Sequence, residues 1–186
     1  MSTDTAGLII LVLVGAALLA ATVGWTAAGR DVWAPCSAVL LAATTITAAA
    51  VPGVQVGGHG GVTLLVILAG ALAAIGGGPL TSLVFAWVDR HDHPPTGDQQ
   101  PIHTAGSVLR GGAWIGALER TAVFASLVGG MPEGIAIALA VKGLGRYPEL
   151  RNGASAGAAE RFIIGTFTSV LWACACAGVV HLVLLR

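Results

Sequence analysis

From Gly7 to Ala28 the chain runs for 22 residues without an ionisable side chain, and comparable runs recur along much of its 186 residues. About 20 apolar residues of helix cover a hydrocarbon core of about 30 Å, so runs of this kind fit a bilayer. Backbone groups find no water at that depth, and a helix satisfies them within the segment itself. Only 10% of the residues are charged, where a soluble domain carries about 25%. With 55% hydrophobic residues and a mean hydropathy of +0.85, the chain reads as an integral membrane protein. The expected fold is all-α, a single membrane domain over residues 1–186 built as a bundle of about six transmembrane helices.

Breaks in the apolar runs place those helices at 7–28, 33–51, 62–88, 108–129, 131–146 and 157–185. The opening Met-Ser-Thr-Asp-Thr lacks the cationic start of a signal peptide, so the first run reads as a retained helix. Gly29-Arg30-Asp31 ends it, and Trp33-Ala34-Pro35 opens the second, with Trp25 and Trp33 at the depth aromatic residues favour. Pro52-Gly53 ends the second helix, and the connector to Gly61 contains His59, read as a loop residue. Within the third helix, Gly76-Gly77-Gly78-Pro79 predicts a kink or break: proline removes a helical hydrogen bond and three glycines resist bending little. Such irregular backbone is tolerated where it is packed in protein or lines a cavity, so Gly78 and Pro79 are candidates for a transport path together with Glu133. The stretch Asp89–Ser107 reads as a polar loop. Its His91, His93 and His103 have no specific metal-ligand spacing, and no metal or other cofactor is expected.

Charge divides the chain into two unequal parts. Residues 1–88 carry only Asp4, Arg30 and Asp31 of the 18 charged residues, and the rest lie beyond. Net charge is zero, with no basic run that would mark a nucleic-acid partner. Six helices put all the lysines and arginines except Arg186 on one side, which the positive-inside rule makes cytoplasmic, with both termini outside. Cys36, Cys174 and Cys176 lie in apolar helix and fit small packing residues.

The charged half gathers Glu119, Arg120, Lys142, Arg146, Glu149, Arg151, Glu160 and Arg161. Spacing of four residues puts Gly130, Gly134, Ala138, Lys142 and Arg146 on one face of the fifth helix. It does the same for Gly157, Arg161, Gly165 and Ser169 on the sixth and for Gly112, Gly116 and Arg120 on the fourth. If the fourth and fifth helices form a hairpin about Gly130, Glu119 and Arg120 lie level with Lys142. The excess of cations suits an anionic lipid headgroup, a small anion or an acidic partner at the inner face. The alternative is a self-contained set of ion pairs that holds three helices in register. Arg161 then pairs with Glu160 or Glu119, and its loss costs about 3–5 kcal/mol. Other membrane subunits or a second copy of the chain are further partners consistent with the small-residue faces.

Gly116-Ala117-Leu118-Glu119-Arg120, Lys142 followed by Arg146-Tyr147 and Glu149-Leu150, and Ala159-Glu160-Arg161-Phe162-Ile163-Ile164-Gly165-Thr166 together resemble an uncharacterised bacterial inner-membrane protein family of unknown function. The likeness is to the C-terminal helices of that family. It implies a place in a bacterial inner membrane and lends no activity. Pro132-Glu133-Gly134 is also similar to a metal-binding helix of ZIP-type metal-ion transporters. Gly129 and Gly130 stand where that helix has His and Asn, and one carboxylate is a poor transition-metal site. No spacing marks a nucleophile with its base, a phosphate-binding loop or a dinucleotide fingerprint, so no catalytic residue is assigned. An enzyme acting on a phosphorylated lipid would have to use Glu119, Glu133 or Glu160 as base, with arginines holding the phosphate.

Overall fold

The computed structural model describes residues 2–26, 29–92, 112–151 and 156–184. They form six helices: α1 (Thr3–Val23), α2 (Arg30–Ala50), α3 (Gly58–Asp92), α4 (Gly112–Val128), α5 (Glu133–Arg151) and α6 (Ala156–Leu184). Among the described residues there is no strand. Four of the helices, α1, α2, α3 and α6, are long and apolar enough to cross a membrane. The chain is thus an all-helical bundle with several potential membrane spans.

Local chemistry sets the ends of these elements. Ser2 caps α1, its hydroxyl accepting the Thr5 amide at 3.2 Å, and Asp4 sits in the first turn where the helix dipole favours an anion. Val51-Pro52-Gly53 ends α2, and Gly57 and Gly58 take φ +71° and +67° to turn the chain into α3. Between them Gln55 and Val56 lie across the start of α1. Gly7 and Gly61 leave no side chain to hold that backbone away.

Helices α1, α2, α6 and α3 close a ring in which each packs on the next, α4 lies against both α3 and α6, and α5 packs on α4. The ring's interior holds Ile10 and Val14 of α1, Leu41 of α2, Leu65 and Leu72 of α3, and Cys176, Val179 and Val180 of α6. Alanines at 17, 21, 48, 69, 73 and 173 fill the space between. In a bilayer, lipid tails would be as apolar as these side chains, and close van der Waals contact rather than hydrophobic burial would hold such helices together. Small residues permit it. Gly70 receives the Phe124 ring, Gly165 the Phe85 ring, and Gly134 the Ser126 side chain.

Several boundaries differ from those expected. α2 begins at Arg30, so Pro35 is inside it, and α3 begins at Gly58, which puts His59 in a first helical turn. α5 continues past Arg146 to Arg151. The largest difference is in α3, which runs unbroken for 35 residues, about 52 Å, straight through Gly76–Pro79. The polar loop expected over Asp89–Ser107 is helical as far as Asp92 and otherwise lies outside the described residues.

The core stops at one level. Beyond Pro79 no described residue of α3 is buried, and the same is true of α6 before Ser169 and of the whole of α5. That level is where the α1–α2 turn ends, with Gly24 against Pro79 and Trp25 against Gly78.

Candidate functional site

The expected break in α3 is a docking seat. Pro79 has no amide hydrogen, which leaves the Ile75 carbonyl without its helical partner. The Trp25 indole N–H, from the turn after α1, donates to that carbonyl at 3.1 Å. Trp25→Phe keeps the ring and removes the donor. It is expected to lower stability by about 1 kcal/mol, less than for a dry site because Trp25 is 46% exposed, and thermal unfolding in detergent measures it.

The three carbonyls before Ile75 also receive side-chain donors. Trp172 of α6 donates from Nε1 to the Leu72 carbonyl at 3.0 Å. Arg120 of α4 donates from Nε to Ala73 and Ala74, both at 3.0 Å, and from its NH2 group to Ala74 at 2.6 Å. Successive carbonyls point about 100° apart around a helix, so these four face three different neighbours at one level. The glycines one turn later make the room. A Cβ on Gly76 would stand 2.5 Å from the Trp172 ring, one on Gly77 2.8 Å from Arg120 Nε, and one on Gly78 2.5 Å from the Trp25 ring.

Arg120 is therefore a buried cation, 4% exposed, held by backbone dipoles. Its neighbour Glu119 faces away and pairs with Lys142 of α5. Lys142 also lies over the Phe162 ring of α6, 5.8 Å from its centroid. Beside these groups is a cavity of about 10 Å³, lined by Glu119, Arg120, Val123, Ala138, Lys142 and Ser169. That is room for about one water molecule. Ser169 is 7% exposed, and no hydrogen bond from it is found among the described residues. Thr166, one turn earlier on α6, has its Oγ1 buried without a partner.

The expected cluster is thus divided. Glu119, Arg120 and Lys142 meet around the cavity. Arg161 instead pairs with Asp89 at the end of α3 and lies over the Phe85 ring at 5.9 Å. Its expected partners, Glu160 and Glu119, are not the ones it takes. Both side chains of the Arg161–Asp89 pair are half exposed, so the pair is worth under about 1 kcal/mol rather than the cost of a buried one. Glu160 is exposed at the start of α6, and the side chains of Arg146, Glu149 and Arg151 lie outside the described residues. Glu133 is exposed at the start of α5, and Gly78 and Pro79 lie against Trp25 and Gly24. Among the described residues no group of three His, Cys, Asp or Glu side chains could hold a metal ion.

Sequence reasoning gave Trp25 only an interfacial depth, Ser169 only a place on a small-residue face and Asp89 only a loop, and did not single out Trp172. The one signal available was chemical, a proline that orphans a carbonyl and indole N–H groups that need acceptors when buried, and nothing in the sequence brings Trp25 or Trp172 to that segment, 50 and 100 residues from their acceptors. Compared with protein families, curated proteins and solved structures, the chain has no match.

Proposed function

We propose that the protein is a multi-pass, non-enzymatic component of a bacterial inner membrane whose long apolar helices α1, α2, α3 and α6 cross the bilayer, and that the foot of α4, α5 and α6 binds an anionic group at the cytoplasmic face. One observation carries this reading. Trp25 and Arg120 bond to adjacent stretches of the same turn of α3, at Ile75 and at Ala73–Ala74, so the charged foot is level with the turn between α1 and α2. That turn leads into Arg30 and Asp31, the first charges after a long apolar run, and is flanked by Trp25 and Trp33. Tryptophan and charge together mark the headgroup boundary. Cations at that depth meet lipid phosphates, and the excess of lysine and arginine on this side makes it the cytoplasmic one, with both termini outside.

The test is native mass spectrometry of the protein released from a mild detergent. Retained phosphatidylglycerol or cardiolipin in clear preference to phosphatidylethanolamine is the expected result. Retention in proportion to the lipid supplied would remove the reading.

A further inference from the structure

We propose that the cavity between α4, α5 and α6 is a phosphate site: it takes one negatively charged phosphate oxygen, held by Lys142 and Ser169 beside Arg120. The inference rests on the anion-binding reading above and gives it an address. Three kinds of observation converge on this point. The first is charge. Arg120 and Lys142 against Glu119 leave one net positive charge around a partly enclosed space, and an anion relieves it.

The second is unused donors. Lys142 offers three N–H bonds and spends one on Glu119. Arg120 directs Nε and NH2 to α3, while its NH1 lies over Gly116, 3.1 Å from where a Cβ would be, with no acceptor among the described residues. Ser169, more than nine-tenths buried, lines the cavity and makes no bond back to its own helix, although the adjacent Thr168 does, to Ile164 at 2.8 Å. Thr166 Oγ1, buried and unpartnered, lies four residues after Phe162, which Lys142 covers, and three before Ser169. Buried hydroxyls are almost always bonded, and Thr166 Oγ1 is the one fully buried side-chain oxygen or nitrogen among the described residues that is not, one turn from the Ser169 hydroxyl that lines the cavity.

The third is size. About 10 Å³ admits one oxygen atom and no whole phosphate group, so the remainder of the ligand must lie outside the opening. Phosphate fits that shape because one oxygen can enter while the others stay with solvent or headgroups. The net positive charge disfavours a zwitterionic headgroup, whose ammonium would lie outside the opening close to the same cations.

Thermal unfolding of the purified protein in detergent tests the site with four probes: phosphatidylglycerol, phosphatidylcholine, inorganic phosphate, and chloride at matched ionic strength. Phosphatidylglycerol is expected to raise the midpoint well above the shift from phosphatidylcholine or chloride, as any ligand selective for the folded state does. A comparable rise with inorganic phosphate identifies free phosphate as sufficient, and a rise with phosphatidylglycerol alone identifies the headgroup. Lys142→Gln is expected to weaken binding about tenfold or more by removing a charge-assisted bond. Ala138→Val keeps every charge and fills the cavity, and it should abolish the shift while leaving the unliganded midpoint near that of the wild type. An equal shift with chloride, or none with any phosphate, overturns the site. A phosphatidylglycerol shift that survives both variants also overturns it, but leaves anionic-lipid binding elsewhere on the foot standing. A phosphate shift lost in both variants, in a protein that retains no anionic lipid, keeps the site and removes the headgroup reading.

Discussion

Gly76→Val is expected to unfold a large fraction of the protein under conditions where the wild type is folded. The Trp172 ring occupies the place of the new side chain, with Cζ2 2.5 Å and Cε2 2.9 Å from even a first carbon. The ring cannot swing aside at small cost, since it is 4% exposed and its N–H is engaged at Leu72. Overpacking of this kind costs about 1–3 kcal/mol, and the lost indole bond adds about 1 kcal/mol. Trp172→Ala should be at least as severe, about 3–5 kcal/mol, because it empties a large buried volume between α3 and α6. Combined, the two changes should cost clearly less than their sum, because alanine at 172 leaves room for the valine. Unfolding titrations with a denaturing detergent, followed by circular dichroism, measure all three. Full additivity would mean that Trp172 is not seated on Gly76.

The second large effect is at Arg120, where the direction depends on what replaces it. Arg120→Ala removes a long side chain at 4% exposure and leaves a void beside Gly77, with an expected loss of about 3 kcal/mol. Arg120→Met retains most of the volume. It also removes the need to hold a cation away from water, and apolar replacement of buried charge is often neutral or stabilising. The Ala73 and Ala74 carbonyls are not orphaned by the change, since each keeps its helical amide partner at Gly77 and Gly78. Arg120→Met should therefore unfold within about 1 kcal/mol of the wild type while losing anionic lipid in mass spectrometry. If it proves as unstable as Arg120→Ala, the carbonyl bonds rather than the packed stem hold α4 on α3.

The charged foot shows where sequence reasoning reached and where it stopped. A turn at Gly129–Pro132 between two short helices puts residues about equally distant from it side by side, and Glu119 and Lys142 do meet. Local spacing carried that step, because the hairpin leaves only one register. Arg161 had no such constraint. Its partner Asp89 is 72 residues away on a helix that sequence alone does not bring near, whereas Glu160 is the adjacent residue and the one that local reading offers.

What the sequence determined by itself is the helical character of the chain, the presence of helices apolar enough to cross a membrane, and roughly where each helix lies. Those follow from local quantities: the length of apolar runs, the scarcity of charge, and glycine or proline at most of their ends. Tertiary structure decided which faces meet. In a soluble helix an apolar stripe reveals the inward side, but α1, α3 and α6 are apolar nearly all round, so no stripe marks which side faces the core. The meaning of Gly76–Pro79 turned on this. Read locally it is a weak point, and alone in water it would be one. In the bundle its orphaned carbonyl and bare glycines are filled by Trp25, Arg120 and Trp172, donors from 50, 46 and 100 residues away. Those contacts over-determine a helix that its own residues leave undecided.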